Sequence, residues 1–371
     1  MIPRALSKLS IFLLRIPFIV QLKSLLTAVK RKLLAVPIVA LLIAKTKLLV
    51  FAALAAAFVA TAVTGGYYVI TKNPITNLPG IRALAKGIAP QYLTSFLGPN
   101  KPVGIALSAD GSRLYVAQTA GDRTTLIYDN LFNPLGELTP PNTTEASRLP
   151  LYVAVDKEGV VYVTDRLRNV VDVYEPDGSY RMALSIGLDS IGAISPLAVG
   201  MGHDDDLIVT EGGGENRMFK VDKFTGEVLS MWGSYLTSGT PGGDMQFPNG
   251  MAEDKKGRYY CADGNGGRIT QWEGNGEFKL AFALGEKEGS VGLPRGLALD
   301  DLGRLHIVDA ATHNVVVYDI NGEEPKYLYT FGEFGIDNGQ FNYPSGVAID
   351  NRKGLVYVAD TFSHQVQVWA Y

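Results

Sequence analysis

Four histidines (His203, His306, His313 and His364) and one cysteine (Cys261) are the whole supply of imidazole and thiol in this chain of 371 residues. A catalytic or structural zinc usually takes at least three protein ligands, and only His313 and His364 fall on comparable loops. The stretch GHDDD (202–206) offers hard oxygens. Neighbouring carboxylates in one turn point in different directions, however, whereas cation sites gather oxygens from several positions, so the stretch reads as a solvated turn. There is no G-x-S-x-G elbow, phosphate loop or H-E-x-x-H pair. Cys261 has no second cysteine to pair with and reads as a small buried apolar side chain. The remaining candidates suit recognition better than bond-making. They are the loop residues Arg166, Arg168, Asn265, Arg268, Arg295, His313 and His364, joined by Asn169, Glu211 and Asn314.

The elements that must position these residues repeat. A strand-like run opens with proline six times, at Pro102, Pro150, Pro196, Pro248, Pro294 and Pro344, with gaps of 48, 46, 52, 46 and 50, and in the clearer copies it closes with aspartate. A period of 40–50 residues with several short strands per copy predicts a β-propeller. In the last copy GVAID (346–350) is nearly all apolar, as an innermost strand should be. LVYVAD (355–360) is β-branched and aromatic, and QVQVWAY (365–371) alternates. Earlier copies add a second turn and a fourth strand, such as KYLYTFG (326–332) or FKLAFALG (278–285). The sixth copy has no fourth strand after it, and QYLTSFLG (91–98) lies unclaimed before the first. The expectation is a six-bladed propeller over 91–371 with four-stranded antiparallel blades, in which 91–98 pairs with Gln365–Trp369 to close the ring. In such a meander the loop before the first strand and the loop between the second and third share one face. All the long irregular connections fall there (136–149, 186–195, 211–216, 233–247, 263–267, 286–293 and 332–343), and binding concentrates on such loops. Asp165, Asp263, Asp309 and Asp360 recur between blades, so they read as caps of nearby backbone amides rather than as chemistry.

These residues resemble the NHL-repeat family, whose pattern is a proline, Gly-Val-Ala-Val-Asp, a turn, Val-Tyr-Val-Ala-Asp and a loop with Asn or His. The resemblance is carried by Pro344, Gly346, Val347, Ala348, Asp350 and Val356–Asp360, by Pro294, Gly296, Asp300, Asp309 and Asn314, and by Pro248, Gly250, Asp254, Ala262, Asp263, Arg268 and Ile269. The second copy keeps Asp156, VYVTD and Asn169; in the third, Gly200 stands for the first aspartate and Glu211 for the second. The resemblance implies a propeller. It also brings in amidating lyases, similar propellers with a histidine-bound metal, for which no complete ligand set maps onto this chain.

The net charge of −3 conceals two halves. Residues 1–90 hold 12 Lys/Arg and no acid; residues 91–371 hold 22 Lys/Arg against 37 acids, a net of −15. So acidic a propeller is a poor generic partner for nucleic acid, while a basic apolar leader suits a membrane with anionic headgroups. Residues 48–70 are 23 in a row without a charge, enough to span a bilayer as a transmembrane helix. Nine cations precede them and three follow closely, which places the N-terminus in the cytoplasm and the propeller outside it. A cleaved signal peptide is the competing reading; a 47-residue leader is too long for one. Residues 1–47 read as basic apolar helices on the cytoplasmic membrane face, or as a docking element for other membrane helices. Residues 71–90 read as a linker with one short helix at 81–88. The expectation is therefore an all-β propeller behind an N-terminal helical membrane segment, a single-pass protein whose loop face meets a protein partner or membrane assembly. No cofactor is required. The alternatives are a lyase or lactonase-like hydrolase with zinc or calcium in the channel, and a sensor of a small ligand.

Overall fold

The computed structural model describes residues 85–188, 192–233 and 243–371. The expected segments 1–47 and 48–70, and most of 71–90, lie outside the described residues. Within the described residues no helix is long and apolar enough to cross a membrane. Among the described residues the helical piece before the first strand is a 3-10 turn at Ala85–Gly87.

The described residues form six four-stranded antiparallel sheets arranged as the blades of a propeller. Blade 1 is Pro102–Leu107, Arg113–Gln118, Thr125–Asp129 and Pro134–Leu138. Blade 2 is Pro150–Val155, Val161–Asp165, Val170–Tyr174 and Tyr180–Leu184. Blade 3 is Pro196–Met201, Leu207–Glu211, Met218–Val221 and Val228–Trp232. Blade 4 is Pro248–Glu253, Tyr259–Asp263, Arg268–Trp272 and Phe278–Phe282. Blade 5 is Pro294–Leu299, Arg304–Asp309, Asn314–Asp319 and Lys326–Phe331. Blade 6 takes Pro344–Asp350, Leu355–Asp360 and Gln365–Ala370 from the end of the chain and Gln91–Leu97 from its earlier part. That last strand is paired from Gln91 opposite Ala370 to Leu97 opposite Gln365.

Burial explains the strand order within a blade. The second strands are buried along their whole length at Val161–Asp165, Tyr259–Asp263 and Arg304–Asp309, and beyond a half-buried first residue at Arg113–Gln118 and Leu355–Asp360, because neighbouring blades cover both faces. The fourth strands form the rim and leave most positions exposed or half-buried; Pro134–Leu138 buries only Leu138. This strand takes up the beginning of the expected 136–149 loop, because Gly136 pairs with Ile127 in the ladder.

Every inner strand has a register irregularity within three residues of its proline, from Pro102/Ile105 to Pro344/Val347. Such breaks bend a strand, and here all six bend at the end nearest the loop face. The third residue of the inner strand is glycine in four blades. A Cβ on Gly104, Gly250, Gly296 or Gly346 would fall less than 3.0 Å from the next blade's backbone. Inner strands therefore pack backbone against backbone at those joints. Blades 2 and 3 carry Tyr152 and Ala198 there, and a threonine hydroxyl ties each to its successor: Thr164 Oγ1 donates to the Leu197 carbonyl at 2.9 Å, and Thr210 Oγ1 to that of Asn249 at 3.0 Å.

In blade 3 the residue equivalent to the turn aspartates is Gly202, not the expected Gly200. The Gly202 N–H donates to the Asp206 carbonyl, as the Asp254 N–H does to Arg258 and the Asp300 N–H to Arg304. The inner strand runs on to Met201, which puts the turn position two residues later than the repeat pattern predicts.

Candidate functional site

The loop face is built from two recurring grips. The first lies within a blade. The polar residue at the end of the second strand accepts N–H groups from the loop that enters the same blade and, in blades 2 and 5, from the loop that follows it as well. Asp165 takes those of Leu149, Leu167 and Arg168, and Asp309 takes those of Gly292, Leu293 and Ala311. Asp360 takes that of Asn342, and Gln118 fills the same role for Asn100 in blade 1. Asp263 takes the Gln246 N–H and pairs with Arg268 at 2.8 Å. Glu211 pairs with Arg217 at 3.1 Å. Burial raises the carboxyls of Asp263 and Asp360 above their ordinary range, and the same hydrogen bonds oppose that rise.

The second grip crosses between blades. The residue just before or at the start of each third strand has positive φ: Arg123, Asn169, Asn216, Gly267, His313 and His364, at φ 50°–59°. Asn and His tolerate this conformation better than most residues. Asn216 Oδ1 accepts the Phe247 N–H at 3.0 Å, His313 Nδ1 the Tyr343 N–H at 2.8 Å, and His364 Nδ1 the Lys101 N–H at 3.3 Å. Asn169 Oδ1 accepts the Ser195 hydroxyl at 2.5 Å. Every donor residue directly precedes the next blade's proline.

Phe247, Tyr343 and Lys101 themselves hold positive φ, at 60°, 59° and 51°. For bulky residues this is a strained conformation that survives only where the surroundings enforce it. It brings their side chains into a ladder that runs across blades 4, 5, 6 and 1. The Arg295 guanidinium lies between the rings of Phe247 and Tyr343, 5.8 and 5.9 Å from their centroids. Tyr343 stacks on Phe362, with centroids 4.8 Å apart and planes 19° apart. Lys101 Nζ sits 5.7 Å over Phe362. Arg295 donates to Asn249 Oδ1 at 3.2 Å and to the Tyr343 hydroxyl at 2.8 Å, and no carboxylate pairs with it among the described residues. Nearby on the same face Phe334 packs on His313 at 4.6 Å. Phe334, Ile336 and Phe362 are 65%, 79% and 48% exposed.

Of the residues singled out in the sequence, Arg295 lies in this ladder, and His313 and His364 hold the backbone beneath Tyr343 and Lys101. Arg166 bridges blades 2 and 3, donating to Asn169, Ser195 and the Gly212 carbonyl. Arg168 pairs with Asp172 at 2.7 Å, and Arg268 with Asp263. Asn265 has an exposed side chain, while its N–H donates to the Gln246 carbonyl. Asn314 Oδ1 accepts the Thr312 hydroxyl. Sequence reasoning missed Phe247, Tyr343, Phe362 and Lys101. The available signal was the column of residues preceding the six prolines, where two aromatics and a lysine stand out.

The channel below this mouth is about 370 Å³ and is walled by Gly, Ala, Val, Ile, Leu, Met and Tyr152 of the inner strands. No His, Cys, Asp or Glu is among those lining residues, so a channel metal would lack side-chain ligands there. Asp156, Glu158 and Asp205 do converge on the turn face, but Lys223 Nζ occupies their centre, 2.9 Å from Asp156 and 3.3 Å from Glu158. In a second pocket on the turn face, about 300 Å³, two of the cations are engaged: Arg258 with Asp254, and Lys256 with the Asn321 carbonyl.

The fold and site define a six-bladed β-propeller with an elaborated loop face. The NHL repeat pattern matches residues 341–369. The B-box type zinc finger protein ncl-1 of Caenorhabditis elegans is 54% identical over 43 residues, 12% of this chain and 5% of that protein. The protein brain tumor of Drosophila melanogaster is 46% identical over 43 residues, 12% of this chain and 4% of its own. The chain thus matches about one-twentieth of the length of these relatives. Among solved structures, a streptogramin B lyase superposes with a TM-score of 0.54 at 13% identity, over 76% of this chain and 97% of its own. A hydrazine synthase of Kuenenia stuttgartiensis gives 0.52 at 16%, over 75% and 97%. At such identities the likeness is one of fold.

Proposed function

We propose that this protein is a membrane-anchored, non-catalytic propeller that offers its loop face, outside the cytoplasm, to a protein partner or larger membrane assembly. The ladder Phe247–Arg295–Tyr343–Phe362–Lys101 carries this reading. Aromatic residues and arginine are the side chains enriched at protein interfaces, and the ladder is held in place by strained backbone. The 23 uncharged residues at 48–70 and the acid-free first 90 residues support the anchor and its orientation. Two measurements test it. Solubilised from native membranes in mild detergent, the chain should run in a particle of defined stoichiometry larger than one chain plus detergent. Replacing Arg166 and Arg295 together should weaken capture of that partner while the fold persists by circular dichroism; undiminished capture removes this face from the reading.

A further inference from the structure

We infer that Arg295 is a seat for a carboxylate, supplied by an acidic peptide segment of a protein partner. The inference rests on the docking role proposed for the loop face and names what that face recognises. A guanidinium has five N–H donors. Arg295 spends two of them, on Asn249 Oδ1 and the Tyr343 hydroxyl, and is only partly buried. Its plane is fixed between two rings, so little rotamer freedom is left to lose on binding. Three other loop-face arginines differ: Arg168, Arg217 and Arg268 already hold Asp172, Glu211 and Asp263. Arg166 holds no carboxylate either, but three acceptors already take its N–H groups. The Tyr343 hydroxyl, having accepted from Arg295, still has its own proton to donate to the same anion.

The positions immediately beside the seat are free of acids, and Glu286, Glu288, Glu333 and Asp337 stand in the outer parts of the loops. The residues on either side of the six marker prolines, and those just after the second strands, include three cations (Lys101, Arg166 and Arg295) and no acid, in a propeller of net charge −15. The second-strand carboxylates close by are held in their loops by backbone amides and arginines. Exposed Phe362 beside the seat, with Phe334 and Ile336 further out, suits an acidic side chain flanked by apolar ones. An acidic peptide approaching this propeller is repelled by its overall charge, so selectivity comes from the seat itself.

The test is selection of random dodecapeptides on the full chain in detergent, with a photo-crosslinker on each selected peptide. Peptides crosslinked to the loop face should be enriched in Asp or Glu. Amidating the selected acid (Glu to Gln) should weaken binding about tenfold or more, and the Arg295→Met and Tyr343→Phe variants, checked for wild-type melting, should lose the enrichment. Loop-face peptides without acid enrichment, or unchanged selection by Arg295→Met, overturn the carboxylate seat while leaving the docking face standing. Peptides that crosslink only elsewhere, or no selected peptides, overturn both. An oligouridylate that displaces the acidic peptides at lower concentration than they displace one another reassigns the seat to phosphate and overturns the inference as well.

Discussion

His313 has two tasks that only a few side chains can share. It sits at φ 58° and accepts the Tyr343 N–H of the next blade. Asparagine does both in blade 3, where Asn216 holds Phe247. His313→Asn is therefore expected to keep the wild-type melting temperature, whereas His313→Ala loses the acceptor and is strained at positive φ, costing about 1–3 kcal/mol in denaturant unfolding. A second histidine behaves differently. His306 is wholly buried, and its Nδ1 faces the Arg304 carbonyl, which can only accept, so the ring proton lies there. Nε2 then accepts from Tyr371 at 2.5 Å; Tyr371 meets the Tyr329 hydroxyl, and Tyr329 meets Arg304, closing a circuit. Burial depresses the His306 imidazole to about 4. The unfolded chain takes up a proton near 6.5 that the folded chain refuses. The stability held by neutral His306 is thus complete above about pH 6.5 and lost as pH falls towards 4. Unfolding free energies at pH 7 and 5 should differ by roughly 2 kcal/mol more in the wild type than in His306→Gln.

At the scale of elements, the strands were legible because their physics is local. Alternation, β-branching and turn glycines marked LVYVAD and KYLYTFG within a residue or so of the observed limits. The recurrent aspartates were legible as caps for the same reason. Two things were not. The Gly200/Gly202 shift depends on where a bent inner strand stops, which hydrogen bonding decides. The ladder depends on three non-glycine residues being forced to positive φ by a neighbouring blade, a tertiary effect with no local sequence mark. Arg295 was visible as a charge; the rings that give it a role were not. The same joints yield a prediction. Gly346 faces the backbone of Val103 across the seam between blades 6 and 1. Gly346→Ala should cost about 3 kcal/mol, towards the upper end for overpacking, whereas Gly136→Ala on the open rim, with nothing near its Cβ, meets only backbone strain. Unfolding midpoints compared at equal slope would separate the two.

For the whole molecule, closure is the decisive feature. Gln91–Leu97 completes blade 6 and brings Phe96 against Tyr128 of blade 1, with ring centroids 4.9 Å apart. A chain starting near residue 101 keeps six inner strands but loses the fourth strand of one blade and that contact. Its melting temperature should fall by roughly ten degrees or more relative to a chain starting near residue 90; equal values would mean that the seam bears little load.

The closing strand is a piece of the ring that can be handed over. Antiparallel pairing along Gln365–Ala370 recognises the sequence 91–97 and not the molecule from which it comes. Two copies refolded at high concentration can exchange these strands, each completing the other's sixth blade without any new contact. The reciprocal product is a dimer whose loop faces, and the Arg295 seats on them, are tied as a pair, so one feature of the chain's connectivity becomes a route to bivalency.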